Sequence, residues 1–246
     1  MSATLAGWRG LARSLRVYRF DRAHRAGLRR LYAEFVSPGD LVFDVGAHVG
    51  DRTAAFRALG ARVVAVEPQR RLARLLSLAA AADRGVRVER CAVGAEPGEA
   101  VLRANRANPT VSTLSEALTR AAPDAAAWAA QVWDGAEAVR VTTLDALIAA
   151  HGAPAFVKID VEGWEAEALA GLTRPPPALS FEATALLREA AAAALDRAVA
   201  LGYRRFRLSL GESHRFEDDW TGAARMRERL AALSDAENSA DVYCRL

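Results

Sequence analysis

Lysine is almost absent from this chain. Lys158 is the only one, and arginine carries nearly all of the remaining positive charge. The 33 Lys and Arg side chains face 30 acids, so the net charge is only +3 despite a pI near 9.2. No basic run interleaved with aromatics occurs, which removes the cationic, base-stacking surface that nucleic acids require. Cysteine is scarce as well. Cys91 and Cys244 stand far apart without metal-ligand spacing, which argues against a zinc module or a disulfide scaffold and favours a reduced, cytoplasmic chain. No stretch approaches the roughly 20 uninterrupted apolar residues of a membrane span. Arginines interrupt the apolar positions of the N-terminal segment, so the core of a signal peptide is not expected there either. What remains is 246 residues, 52% hydrophobic, enough for one α/β domain with an ample core and too few for a second full domain.

The most informative stretch is LVFDVGAHVGDRTAAFRALGARVVAVEP, Leu41 to Pro68. Leu41-Val42-Phe43 reads as a strand buried on both faces of a parallel sheet and ends at Asp44. Gly46 and Gly50 punctuate the following turn, where a ligand can approach backbone that carries no Cβ. A helix begins near Asp51, with Thr53 in its first turn, and Gly60 is placed to end it. Val63 to Val66 is a second buried strand, with Glu67 and Pro68 at its end. An acid about 20 residues beyond a glycine turn is where a doubly wound fold holds the ribose hydroxyl pair of an adenosine cofactor. The turn, Gly46-Ala47-His48-Val49-Gly50, lacks the middle glycine of G-x-G-x-x-G. Asp44 before it suits an ammonium better than a pyrophosphate, which favours S-adenosylmethionine over a nicotinamide dinucleotide.

Residues 1–37 read as a basic helical cap on a domain spanning 38–246, with Trp8, Leu11, Leu15, Val17 and Tyr18 followed by Leu28, Leu31, Tyr32 and Phe35 as its apolar positions. Lying on an anionic membrane surface is the alternative, weakened by Asp21 and Glu34. Residues 69–82 form a helix. Val86 to Val88 then run on into Cys91-Ala92-Val93-Gly94 as a third strand whose end, at Ala92, lies beside the adenine pocket. Residues 95–140 break the alternation: a hairpin strand at Glu99–Arg103, a loop from Asn105, then Ser112 and Thr113, and an Ala-rich helix bearing Trp128 and Trp133. An irregular insertion of this length is more often functional than decorative, and we place it near the substrate side. Trp128, Trp133 and Trp220 read as exposed, marking a lid or a contact in a homo-oligomer.

The second informative run is FVKIDVEGWE, Phe156 to Glu165. A buried strand ends at Asp160 on the same edge as Asp44 and Glu67, where open α/β sheets bind ligands. Lys158, Asp160 and Glu162 are costly there unless paired or used. A further strand, Ala178–Glu182, ends on another acid. Leu186–Leu201 is helical, Tyr203–Leu210 and Asp241–Leu246 resemble a closing antiparallel pair, and His214–Leu233 is a polar surface helix.

Together DVGAHVGDRTAAF, AVEP, TTLDAL and FVKIDVEGWEAEALAGL resemble the FkbM-type family of S-adenosylmethionine-dependent methyltransferases, across Asp44 to Glu182. The resemblance implies a Rossmann-like, doubly wound seven-stranded sheet, mostly parallel with one antiparallel strand. It also implies O-methylation of a hydroxyl on a sugar, glycolipid or natural product. By that resemblance Asp44, Gly46 and Gly50 line the methionine end of the cofactor and Glu67 holds the ribose. The family often has asparagine at the position of His48. Cofactor candidates are thus Asp44, Gly46, His48, Gly50, Thr53, Glu67, Pro68, Ala92 and Asp160. The catalytic candidates are Asp160, Glu162 and Lys158, with Ser112, Thr113 and Glu182 facing substrate. Asp160 is first choice for the base that an alcohol nucleophile needs. A divalent ion on Asp160, Glu162 and Glu182 is chemically conceivable, but no compact ligand pattern demands it and metal-free chemistry is expected. The alternatives are a nicotinamide-dependent reductase, which lacks a Tyr-x-x-x-Lys pair here, and a non-catalytic binding subunit. No Asn/Asp-Pro-Pro-Tyr run of amide- and base-methylating enzymes follows the strand at Phe156.

Overall fold

The structure, a computed structural model, describes residues 21–246. The chain runs α1 (Arg22–Tyr32), β1 (Leu41–Val45), α2 (Asp51–Ala58), β2 (Arg62–Val66), α3 (Arg70–Ala80), β3 (Val86–Glu89), β4 (Ala92–Val93) and β5 (Gly98–Ala104). It continues through α4 (Glu116–Ala121), β6 (Gly135–Thr142), α5 (Leu144–His151), β7 (Phe156–Ile159) and α6 (Glu165–Ala170). It ends with β8 (Ala178–Thr184), α7 (Arg188–Ala200), β9 (Arg205–Leu210), α8 (Ala223–Ala231) and β10 (Ser239–Arg245).

Seven strands form one sheet in the order β3-β2-β1-β7-β8-β10-β9. The pairs from β3 across to β8 are parallel, and β10 runs antiparallel to both its neighbours. The chain steps outward from β1 to β3 and then returns to lay β7 against the other side of β1. That reversal opens a crevice beyond the carboxyl ends of β1 and β7, the place where such sheets take ligands. Every residue of β1 and β7 is buried, as central strands covered on both faces must be.

One face is covered by Leu144 and Leu147 of α5, Leu169 of α6, Leu195 of α7 and Met226 of α8. The other carries α1 and α2. Leu28, Leu31 and Tyr32 of α1 pack with Phe56 of α2 against Val42, Phe156 and Tyr243 of the sheet. Asp21 caps α1 by accepting from the amides of Ala23 and His24. The expected apolar positions from Trp8 to Tyr18 lie outside the described residues.

Several expectations change. Val86–Val88 and Cys91–Gly94 are not one strand: β3 is the sheet's edge, and β4 leaves it to pair with β6 in a separate three-stranded sheet, β4-β6-β5. The helix of the insertion ends at Ala121, and Trp128 and Trp133 follow it in irregular chain. None of the three tryptophans is exposed. Trp128 is 7% exposed, packed with Val111, Leu118 and Leu187, and its Nε1 donates to Asn238. Trp133 donates to the carbonyl of Val111. Trp220 is half-buried with Arg245 over its ring. Trp128 and Trp133 thus pack in one small cluster beneath the insertion, and Trp220 packs against the α1-side core. Only Ala223–Ala231 of the expected helix from His214 is helical, and His214 itself is buried. Cys91 and Cys244 are both buried and unbonded. Among the described residues, no helix is long and apolar enough to cross a membrane.

Phe156 joins the two halves of the α1-side core, with ring centroids 5.2 Å from Phe35, 5.9 Å from Tyr32 and 6.0 Å from Phe56. Phe156→Ala should cost about 3–5 kcal/mol, measured by denaturant unfolding. A loss under ~1 kcal/mol, within the range of volume-conserving swaps, would show that the cluster closes without it.

Candidate active site

The turn after β1 is built by hydrogen bonds to β2. The amides of Gly46 and Ala47 both donate to the carbonyl of Val66, at 2.9 and 3.0 Å. Gly46 has φ +83°, and a Cβ there would stand 1.7 Å from the carbonyl oxygen of Asp160. Only glycine lets the ends of β1 and β7 come this close. His48, at φ +48°, donates its amide to Glu67 Oε2 at 2.9 Å, and Gln69 donates its own to Oε1 at 2.8 Å. Glu67 is buried, which pushes its carboxyl up to about 7 against those two hydrogen bonds. Burial also holds the His48 imidazole near 4, hence neutral.

Two cavities meet at this edge and share Gly46, His48, Asp160 and Glu162 in their walls. The narrow one runs past Glu67, Pro68, Gln69 and Ala92, roofed by Leu102, Ser112 and Leu114 of the insertion. The wide one, about 350 Å³, of a size that takes a small molecule, is bounded by Arg52, Glu182, Glu212 and Asp241 among others. Thus Gly46, His48, Glu67, Pro68, Ala92, Ser112, Asp160, Glu162 and Glu182 all front open space. Asp44, Gly50, Thr53, Thr113 and Lys158 do not. Asp44 is buried and receives the Thr53 hydroxyl. Burial pushes its carboxyl up to about 6, against that hydrogen bond. Gly50, at φ +78°, starts α2. Thr113 donates to the carbonyl of Glu162 at 2.7 Å and so fixes the turn beneath it.

Lys158 is wholly buried, and its Nζ lies 3.0 Å from both Asp160 Oδ2 and Asp241 Oδ1. Burial opposes its charge, but the two carboxylates hold the ammonium well above its ordinary range. Burial likewise opposes ionisation of Asp160. Lys158 and Arg52 outweigh it and keep that carboxyl below the usual value. Glu162 and Glu182 go the other way, pushed well up by burial and then by the charge of Asp160. Ligand oxygens of Asp160, Glu162 and Glu182 all lie within 4.8 Å of one another. Glu162 sits at φ +56°, a strained conformation for a residue with a side chain. Glu165 holds the turn by accepting from the amides of Val161 and Gly163, at 3.0 and 3.2 Å.

Several wall residues escape sequence reading. Asp241, Arg52, Glu212 and Asn238 come from segments far apart in the chain, and no local pattern announces them. Trp164, inside the FVKIDVEGWE run, carried a signal: its buried Nε1 has no partner among the described residues and it lines the narrow cavity.

The solved structures that resemble this fold include a precorrin-6y C5,15-methyltransferase from Geobacter metallireducens, at 10% identity over 89% of this chain and 86% of that one, with a TM-score of 0.45. Others are an S-adenosylmethionine-dependent O-methyltransferase from Thermotoga maritima (11%; 91% and 64%; 0.45) and an Aeropyrum pernix fibrillarin with natively bound S-adenosyl-L-methionine (12%; 85% and 68%; 0.44). Likeness this distant carries no argument about activity. No curated protein matches the chain. The methyltransferase FkbM domain, in contrast, matches residues 44–233, which include the glycine turn, Glu67, the insertion and all three strand-end acids. That match sets aside the nicotinamide-dependent alternative. This chain belongs to the FkbM family of methyltransferases, and S-adenosylmethionine is its cofactor.

Proposed function

We propose that the protein transfers a methyl group to a hydroxyl oxygen of a sugar, glycolipid or natural-product acceptor, with Asp160 as the base. The observation that carries this reading is the placement of Asp160: its carboxylate stands at the junction of the two cavities, 3.0 Å from the buried Lys158 ammonium and beside the acids Glu162 and Glu182.

In this reading the narrow cavity takes the adenosine. Glu67 uses one lone pair of each oxygen on backbone amides, which leaves the others for a pair of ribose hydroxyls. Pro68, Ala92 and Leu102 offer apolar surface to a flat base, and Trp164 Nε1 is a donor in need of an acceptor. Gly46 and His48 line the junction where the methionine end belongs. Asp44 and Thr53 act from behind, steadying the turn. When bound, S-adenosylmethionine supplies a methyl already activated on a sulfonium. The protein's task is to align the nucleophile, exclude water and take a proton, and positioning of this kind is worth on the order of 7–11 kcal/mol in well-oriented systems. Asp160 accepts the hydroxyl proton while Lys158 holds the carboxylate in place. Glu162 and Glu182 hydrogen-bond the acceptor, and Ser112 closes the insertion side.

Ribose hydroxyls need an ionised Glu67, so affinity for S-adenosylhomocysteine should rise with pH through about 7. Glu67→Gln should bind more weakly and with no such rise. Calorimetric titration across that range checks both, and a pH-independent wild type would remove Glu67 from the ribose role. Asp160→Asn should lower kcat by about 10²–10⁴-fold, the contribution typical of a positioned base, with affinity for S-adenosylhomocysteine nearly unchanged. Full activity would remove Asp160 as the base. A methyl group found on acceptor nitrogen by mass spectrometry and NMR would overturn the oxygen assignment.

A further inference from the structure

Away from the strand-end acids, on the α1 side of the wide cavity, two histidines face each other across a junction of three segments. His24 comes from α1, His214 from the turn after β9, and Glu212 from the same turn. His214 Nε2 lies 3.0 Å from His24 Nδ1. Glu212 Oε2 lies 3.8 Å from that same His24 nitrogen and 3.6 Å from that same His214 nitrogen. Both rings are largely buried, at 10% and 9% exposure, while Glu212 is about half exposed and reaches the cavity.

We infer that His24, His214 and Glu212 form a binding site for a divalent transition-metal ion of the zinc class. The three facing atoms make a triangle with sides of 3.0, 3.6 and 3.8 Å. A triangle with those sides has a circumradius of about 2.0 Å, so an ion at its centre, or slightly above it, meets all three at the roughly 2.0–2.2 Å of zinc–imidazole and zinc–carboxylate bonds. Two imidazoles and one carboxylate are a donor set that suits this class of ion, where hard cations prefer all-oxygen sites.

The surroundings are arranged as a metal site requires. His24 turns its other nitrogen, Nε2, to Asp51 Oδ2 at 2.9 Å. A carboxylate behind a ligating histidine keeps the proton on the far nitrogen and raises the basicity of the near one. Asp51 is ionised: burial opposes its charge, but Arg52 and His24 outweigh burial and hold its carboxyl well below the ordinary range. Burial holds His214 near 4, so it is a neutral ring with a lone pair to give. The seat of that ring is carved out of α1. A Cβ on Gly27 would stand 2.7 Å from His214 Cδ2, and this helix accepts a mid-helix glycine at a cost of about 1 kcal/mol relative to alanine. Arg52, which bridges Asp51 and Glu212, stands beside the site and offsets part of its negative charge. Because Asp51 and Glu212 also line the wide cavity, the ion fastens α1 to the β9 turn at the rim of the acceptor pocket. Nothing in this inference depends on the methyl acceptor being a hydroxyl.

The test uses the full chain, stripped with chelator and titrated with zinc, then with cobalt(II) as a spectroscopic stand-in. One equivalent of zinc should bind with micromolar or tighter affinity and raise Tm, and cobalt(II) should give the intense visible bands of four-coordinate ligation. His24→Gln and His214→Gln should each lose the bands and weaken zinc by at least ten-fold, while Asp160→Asn should keep both. The inference is overturned if the wild type takes up no stoichiometric zinc, if both histidine variants bind as wild type does, or if Asp160→Asn abolishes binding, which would move the ion to the strand-end acids. A variant that fails to fold leaves the cobalt spectrum of the wild type to decide, since weak six-coordinate bands there also refute the site.

Discussion

The chain's single lysine sets the charge of the whole ligand edge. A buried ammonium costs several kcal/mol unless paired and hydrogen-bonded, and Lys158 meets that demand with two carboxylates drawn from different strands. Asp160 ends its own strand, while Asp241 comes from the antiparallel strand two places across the sheet. The pair therefore ties the parallel part of the sheet to its antiparallel edge. A compact ammonium on a flexible stem suits this gap, where a planar guanidinium would need in-plane partners. That is a physical reason for one lysine in a chain that elsewhere uses arginine. The charge also sorts its neighbours. Asp160 stays ionised, and Glu162 and Glu182 favour their protons, which is how closely spaced carboxyls take on different roles.

The second constraint is backbone against backbone. Gly46 approaches the Asp160 carbonyl too closely for any Cβ, so the glycine turn and the strand-end acid form a single unit. The turn beyond Asp160 is strained: Glu162 has positive φ, and so does Gly163 after it. It holds because Thr113 binds its carbonyl and Glu165 its amides. Strain of this kind persists only where surrounding contacts over-determine it. Here those contacts come partly from the insertion, so the insertion shapes the site even through a residue, Thr113, that never reaches the cavity.

These two constraints explain which parts of the molecule were legible in the sequence. Short apolar runs ending in an acid marked β1, β2, β7 and β8, because a strand buried on both faces admits few other residues, and the ligand edge followed from their ends. Asp241 was not legible, since it becomes part of the site only through the pairing of β10 with β8. The split of β4 from β3 was hidden for the same reason: Ala92 and Val93 suit a strand, and only the partner strand decides which sheet they join. Tryptophan position misled, because local polarity around Trp128 says nothing of Leu118 and Leu187 folding over it. Asp44 and Thr53 were read as cofactor-binding residues, and spacing does not reveal that their side chains bond each other rather than face open space.

The wide cavity shows how two cations, Arg52 in its wall and the buried Lys158 behind it, divide their charge. Arg52 is shared by Asp51 and Glu212, and Lys158 by Asp160 and Asp241. Each cation thus serves two acids, and the wall they leave is rich in acceptors and negative in sign. Unit charges 4 Å apart interact by about 1 kcal/mol in water and by about 4 kcal/mol at the effective dielectric near a protein surface. A phosphate or carboxylate close to the reacting atom would meet that repulsion with no free cation to offset it among the described wall residues. A polyhydroxyl surface meets the opposite: its O–H groups can donate to the ionised Asp160 and its oxygens can accept from the protonated Glu162 and Glu182. Under the proposed function, this negative wall would disfavour anions while it orients a neutral hydroxyl toward Asp160, so that one arrangement of charge would serve both binding and proton removal.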